Sequence, residues 1–202
     1  MNWCFIAVMV LLISCGQSHK GSEKTTTELS DHPVPPGKEN IPAESIFQLK
    51  DSFQTQENTP FTLSFLKGTP TVVGMIFTHC TYACPRLTAD IKNIADSLKG
   101  QKVNFVLVSF DTKRDNPTRL KLFAHEMGLN TNWILLHGSE ETVRTLSVLL
   151  HVQYEEDAEG NFSHSNLISV LDKYGVLQYQ KEGLEADHSE TITTIKKLIQ
   201  QQ

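Results

Sequence analysis

The chain reads as an alternation of apolar runs and helical stripes. Thr71-Val-Val-Gly-Met-Ile-Phe77 is apolar and β-branched along its length, the pattern of a strand buried on both faces. Beyond it, Leu87, Ile91, Ile94, Ala95 and Leu98 recur at spacings of three and four, the stripe of an amphipathic helix. Val103 to Ser109 is a second buried strand. Asn116 and Pro117 then supply a cap and a first-turn proline for a helix through Leu120, Phe123, Ala124 and Met127, which Gly128 ends. Trp133 to Leu136 is a short strand, and Ser139-Glu-Glu141 opens a helix through Val143, Leu146 and Leu150 with acids in its first turn. Asn166 to Leu171 and Val176 to Tyr179 flank the turn Asp172-Lys-Tyr-Gly175 as a hairpin. A helix from Asp187 to Ile199 turns Ile192, Ile195, Leu198 and Ile199 inward. Upstream, Ile46–Leu49 and Phe61–Leu63 predict a short leading hairpin.

The resulting order is β-α-β-α-β-α-β-β-α. Alternating βα units predict an α/β fold with a central mixed β-sheet flanked by helices, and sites in such sheets gather at the carboxyl ends of strands. Two cysteines, Cys80 and Cys84, stand at that end of the first core strand, which is the thioredoxin-like arrangement. Pro85 suits the first turn of the following helix, where a missing N–H costs nothing. The backbone N–H groups and the positive end of the helix dipole therefore face both sulfurs and favour thiolate over thiol.

The N-terminal pattern differs from the rest. Trp3 to Ile13 is apolar but short of the roughly 20 residues that span a bilayer, and has the dimensions of a signal-peptide core. Leu12-Ile13-Ser14-Cys15 resembles the lipobox of bacterial lipoproteins, although no Lys or Arg precedes the apolar run. On this reading residues 1–14 are a lipoprotein signal peptide, and lipidated Cys15 holds the chain on a membrane. Residues 15–44 are rich in Ser, Thr, Lys, Glu and Pro without an apolar period, the composition of a flexible tether. Residues 45–202 are then one domain. His19 and His32 fall in the tether and read as solvated.

Composition narrows the chemistry. A net charge of −5 without a basic stripe points away from nucleic acid. Of the four cysteines, Cys4 leaves with the signal and Cys15 takes the lipid. A domain of this length needs no disulfide scaffold, so Cys80 and Cys84 are read as functional. Their C-x-x-x-C spacing can close a disulfide, and it also leaves room for a metal between two soft ligands that select Cu(I) or Zn(II). A histidine from elsewhere would complete such a site.

Four segments in order resemble the Sco/SenC family of copper-binding, membrane-tethered, thioredoxin-fold proteins. They are Phe77-Thr-His-Cys-Thr-Tyr-Ala-Cys-Pro85, Val108-Ser-Phe-Asp-Thr-Lys-Arg-Asp-Asn-Pro117, Asn132-Trp-Ile-Leu-Leu-His-Gly-Ser139 and Phe162-Ser-His-Ser-Asn-Leu-Ile-Ser-Val-Leu-Asp172. The resemblance implies a copper ion held by Cys80, Cys84 and His164. It also implies delivery to the copper-site subunit of cytochrome c oxidase, or to another copper acceptor, on the extracytoplasmic side of the bacterial cell envelope. Two positions depart from the family pattern. Ser163 stands where an Asp usually precedes the histidine, and Thr112 replaces the proline that usually follows Asp111.

Without the resemblance, His164 would read as a surface histidine in the polar run Asn161-Phe-Ser-His-Ser165. His79 adjoins Cys80 and is the reserve ligand. His125, His137, His151 and His188 fit helix faces or element ends as partly solvated residues. Asp111 and Asp115 are read as braces of a loop, with Asp111 a candidate support behind the ligands. The leading expectation is a copper metallochaperone. The competing one is a thiol-disulfide oxidoreductase, with Cys80 and Cys84 as its redox pair.

Overall fold

The computed structural model describes residues 41–184 and 186–201. The signal segment, Cys15 and the tether up to residue 40 lie outside the described residues. Ile41, assigned to the tether from sequence, packs against the core, and Gln48 Nε2 donates to its carbonyl at 3.1 Å.

A seven-stranded sheet forms the centre. Its strands are β1 (Phe53–Thr55), β2 (Pro60–Phe61), β3 (Thr71–Ile76), β4 (Asn104–Ser109), β5 (Trp133–His137), β8 (Leu167–Leu171) and β9 (Leu177–Glu182), in the order β2-β1-β5-β4-β3-β8-β9. β3, β4 and β5 run parallel, while β1 and β8 pair antiparallel at either side. This is the mixed α/β sheet expected. All six residues of β3 are buried, as a strand covered on both faces requires. β6 (Tyr154–Glu156) and β7 (Phe162–His164) make a separate two-stranded hairpin that the sequence did not predict.

The helices are α1 (Ala83–Ser97), α2 (Pro117–Glu126), α3 (Glu140–Leu149) and α4 (Ser189–Gln200). Leu87, Ile91 and Ile94 of α1 are fully buried where the helix lies on β3 and β8, beside α4. A side chain at Gly74 of β3 would begin 2.7 Å from Ile91 Cδ1, so a glycine there lets the helix approach closely. Asn116 caps α2 by accepting from Arg119 N at 3.0 Å, and Gly128 leaves that helix with a left-handed φ of 63°. Ser139 caps α3 in the same way through Thr142 N. Among the described residues no helix is long and apolar enough to cross a membrane.

The leading hairpin lies elsewhere than expected. Ile46–Gln48 is a turn of 3-10 helix, capped by Ser45, whose hydroxyl donates to the Tyr174 carbonyl. Ile46 and Phe47 are both buried, which a strand at a sheet edge with one covered face would not give. The hairpin is β1–β2, turned at Asn58 in the left-handed region (φ 56°) that Asn tolerates.

One histidine also departs from expectation. His188 is buried rather than partly solvated, with Nε2 3.4 Å from Asp90 of α1. His137 is half-covered, and burial lowers its pKa. His125 and His151 are exposed.

Candidate metal centre

The turn from β3 into α1 is built around its sulfurs. Tyr82, at the helix N-cap, makes no side-chain cap. Cys80 Sγ takes that part, accepting from Cys84 N at 3.4 Å and also from the N–H groups of Tyr82 and Ala83. Pro85 falls in the first helical turn, where its missing N–H belongs to the set a helix leaves unpaired. Cys84 is fully buried and accepts from Phe77 N at 3.3 Å. Cys80 is partly exposed, and both thiols are free.

Their proton affinities diverge. The Cys84 thiol donates to Cys80, and the three helix-end N–H groups add to it, so the Cys80 pKa is pulled down to about 4 against the effect of burial. The same donation to Cys80, together with burial, pushes the Cys84 thiol up. The apo site is thus a thiolate at the rim and a protonated thiol beneath it.

His164 Nε2 stands 3.6 Å from Cys84 Sγ, across eighty residues of chain. The two sulfurs and this nitrogen lie within 4.8 Å of one another. Three donors around one ion, with metal–S near 2.3 Å and metal–N near 2.0 Å, sit roughly 3.5–4 Å apart, so small shifts would close the set on a cation. The tautomer suits the task. His164 Nδ1 lies 3.2 Å from the Ser165 carbonyl, which can only accept, so Nδ1 carries the proton and Nε2 keeps its lone pair toward the sulfurs.

Aromatic packing delivers the histidine. Phe162, two residues before it on β7, meets Phe77 at 5.1 Å and Phe110 at 5.1 Å between ring centroids. The His164 ring itself sits edge-on to Phe77 at 6.0 Å and 5.0 Å from Phe110. Tyr154, the cross-strand partner of His164, stacks on Phe110 and carries the Arg144 guanidinium over its face at 3.8 Å. Phe77 and Phe110 follow β3 and β4 directly, so the hairpin docks on the strand ends where the cysteine turn begins. None of Phe77, Phe110, Tyr154 and Phe162 was given a role in the site from sequence. Tyr154 and Phe162, spaced across Asp157-Ala-Glu-Gly160, were the available hairpin signal.

Ser163 is exposed and points to the face opposite His164. The imidazole is oriented by the Ser165 carbonyl, not by the residue before it.

His79 does not join the sulfurs and His164. It lies with Asp111 and Asp115, its Nδ1 3.4 Å from Asp115 and 3.9 Å from Asp111. Both carboxylates brace the loop after β4. Asp115 accepts from Thr78 N at 2.9 Å, from Ser109 Oγ at 2.6 Å and from the Thr78 hydroxyl. Asp111 pairs with Arg114 and accepts from its N–H at 3.1 Å. Arg119 donates to the Thr78 hydroxyl and carbonyl, tying α2 to the cysteine turn.

A mixed sheet with a dithiol turn at the carboxyl end of a central strand, faced by an imidazole from the opposite hairpin, defines a thioredoxin-like protein with a candidate metal centre. Comparison with known proteins agrees. Residues 41–200 match the family model SCO1/SenC, and the chain belongs to that family. It is 33% identical over 94 residues to the SCO1 protein homolog of Bacillus subtilis, a match covering 45% of this chain. The chain spans about half, 49%, of that relative's length. Among solved structures it resembles BsSco, a member of the Sco family of cytochrome c oxidase assembly proteins in which a disulfide switch was identified. That likeness has a TM-score of 0.68 and 24% identity, covering 75% of this chain and 92% of that one. Bradyrhizobium japonicum ScoI with copper bound aligns with a TM-score of 0.64 and 22% identity, over 73% of this chain and 96% of that one. At these identities the two structures speak for the fold.

Proposed function

We propose that this protein is a copper carrier. Cys80, Cys84 and His164 hold one copper ion and pass it to the copper-site subunit of a cytochrome c oxidase, or to another copper acceptor. The observation that carries the reading is the 3.6 Å approach of His164 Nε2 to Cys84 Sγ. A dithiol built only for exchange has no need of an imidazole lone pair aimed at its buried sulfur. The donor set accommodates both oxidation states, since thiolates favour Cu(I) and the nitrogen helps hold Cu(II). Three ligands leave a coordination position through which an acceptor's ligand can attack, and the partly exposed Cys80 lies on that side. The family assignment, the copper-bound ScoI structure and the oxidase-assembly role ascribed to BsSco support the same reading.

The lipobox-like Leu12-Ile-Ser-Cys15 supports an anchor at Cys15. The domain then stands off the extracytoplasmic face of a bacterial membrane, on the tether that follows.

The test is copper titration of the wild type beside Cys80→Ala, Cys84→Ala and His164→Ala, followed by sulfur-to-copper absorption. The wild type is expected to bind one copper per chain, and each cysteine variant to lose the charge-transfer band. Unaltered Cu(II) binding in His164→Ala would remove the imidazole from the site.

A second reading is favoured by one observation, the split between a partly exposed, low-pKa Cys80 and a buried Cys84. That is the division between an attacking and a resolving sulfur in thiol-disulfide exchange. Catalytic turnover of a disulfide substrate by the copper-free dithiol, insensitive to His164→Ala, would select it.

A further inference from the structure

We infer that His79 is a landing ligand for copper, a transient donor at the rim through which the ion enters and leaves the three-ligand site. The inference rests on the copper-carrier reading and extends it from the resting site to the route.

The first observation is the tautomer. Thr78 has one hydroxyl proton, which it gives to Asp115, and its oxygen accepts from Arg119 Nε at 2.9 Å. In the 3.5 Å contact between that oxygen and His79 Nδ1, the imidazole is therefore the donor. The other groups beside Nδ1 are the carboxylates of Asp115 at 3.4 Å and Asp111 at 3.9 Å, which are also acceptors. The proton of the neutral ring is held on Nδ1, and Nε2 presents a lone pair. A carboxylate behind the far nitrogen is how metal-binding imidazoles are commonly fixed.

The second observation is exposure. The His79 side chain is 44% exposed, whereas Asp111 and Asp115 behind it are buried to 1% and 0%. Of the sulfurs, Cys84 is fully buried and Cys80 is partly open. Of the four donors His79 is the exposed one, Cys80 and His164 are half-buried, and Cys84 lies beneath them. An ion arriving on a donor protein meets His79 first, with Cys80 next to it in the chain.

The step is ligand exchange. His79 Nε2 and Cys80 Sγ each bond to copper as the donor protein's ligands leave. Cys84 Sγ and His164 Nε2 then replace His79, with the Cys84 proton released to solvent. The copper keeps its oxidation state, and no electron is transferred.

The experiment uses the full chain in detergent micelles, reduced, with Cu(I) supplied as its bicinchoninate complex and uptake followed by the chelator's colour. His79→Ala is expected to slow uptake about tenfold, the scale on which loss of a metal-supporting group acts, while equilibrium copper affinity stays within roughly threefold. Millimolar imidazole is expected to restore the rate in His79→Ala and leave the wild type unchanged, which a structural role of the side chain would not produce. An unchanged uptake rate in His79→Ala, beside a wild type that loads normally, overturns the landing role alone. So does a loss of affinity equal to the loss of rate, which would make His79 a resident ligand. A wild type that takes up no copper overturns both this inference and the carrier reading.

Discussion

Phe110 stacks on Tyr154 with ring centroids 4.9 Å apart and planes inclined by 16°, and this contact binds the His164 hairpin to the end of β4. The imidazole reaches the sulfurs because a two-stranded hairpin with little core of its own is clamped by aromatic rings. The clamp and the ligand can therefore be separated by mutation. Phe110→Ala removes a buried ring and is expected to cost about 3–5 kcal/mol in unfolding free energy. Because it loosens the hairpin more than the cysteine turn, Cu(II) binding should fall further than Cu(I) binding. Urea unfolding and paired titrations in the two oxidation states measure both effects.

The sulfur chemistry predicts a pH profile. Cys80 is held near a pKa of about 4, well below the ordinary thiol range, chiefly by the Cys84 thiol and then by the helix-end N–H groups. Its thiolate is thus already formed well below neutrality, and raising the pH from 6 to 8 creates little more. Alkylation of the copper-free, reduced protein by iodoacetamide should occur at one site, Cys80, at a rate nearly flat over that range. A free thiol with a pKa of about 8.5 would speed up several tens of fold over the same two units. Cys84, buried and raised, should stay unmodified until the protein unfolds. Mass spectrometry of the alkylated chain, sampled along the pH series, reads site and rate together. A rate climbing steeply through pH 8 would refute the stabilisation of the Cys80 thiolate by the Cys84 thiol and the helix end.

The loop behind the site predicts a stability effect without a ligand effect. Asp115 is buried and accepts from Thr78 N, the Thr78 hydroxyl and Ser109 Oγ. Asp115→Ala strands those donors in a dry interior and is expected to cost roughly 3–5 kcal/mol. Since Thr78 precedes the cysteine turn by two residues, the apo turn should also lose protection in amide hydrogen exchange. Copper binding should restore part of it, because the metal ties the same turn from the other side.

The parts of this architecture that were legible from sequence are those whose burial is local. β3 is apolar along its length and α1 carries an unbroken stripe, so each announces its own environment without reference to the rest of the chain. The caps at Asn116 and Ser139 are likewise read within four residues. The His164 hairpin is different. Tyr154-Glu-Glu156 and Phe162-Ser-His164 offer one covered residue in three or a half-covered alternation, and their order comes from Phe77 and Phe110, more than forty residues upstream. Ile46–Gln48 misled for a related reason. Its apolar pair is buried side by side against the β8–β9 turn, where Ile46 N donates to the Gly175 carbonyl at 3.0 Å, and periodicity within four residues cannot show that. The pairing of His164 with the cysteines was visible through the family resemblance, whereas the burial of His188 against Asp90 left no trace in local pattern.

The remaining prediction concerns Ser163, where the family pattern places an aspartate. On β7 this side chain is exposed and opposite His164, and its cross-strand partner on β6 is Glu155. A carboxylate introduced by Ser163→Asp would point away from the imidazole, whose Nδ1 is already committed to the Ser165 carbonyl. It would instead face Glu155, and like charges directly opposite in an antiparallel pair cost about 0.2–1 kcal/mol. Ser163→Asp should therefore leave copper affinity within roughly threefold, about 0.7 kcal/mol, while lowering thermal stability slightly. Raising the salt concentration should erase most of that loss, since both carboxylates are at the surface. Calorimetric melting at two ionic strengths and a Cu(II) competition titration separate the two quantities. A tenfold gain in affinity would mean that the residue before the histidine, not the carbonyl after it, governs the ring.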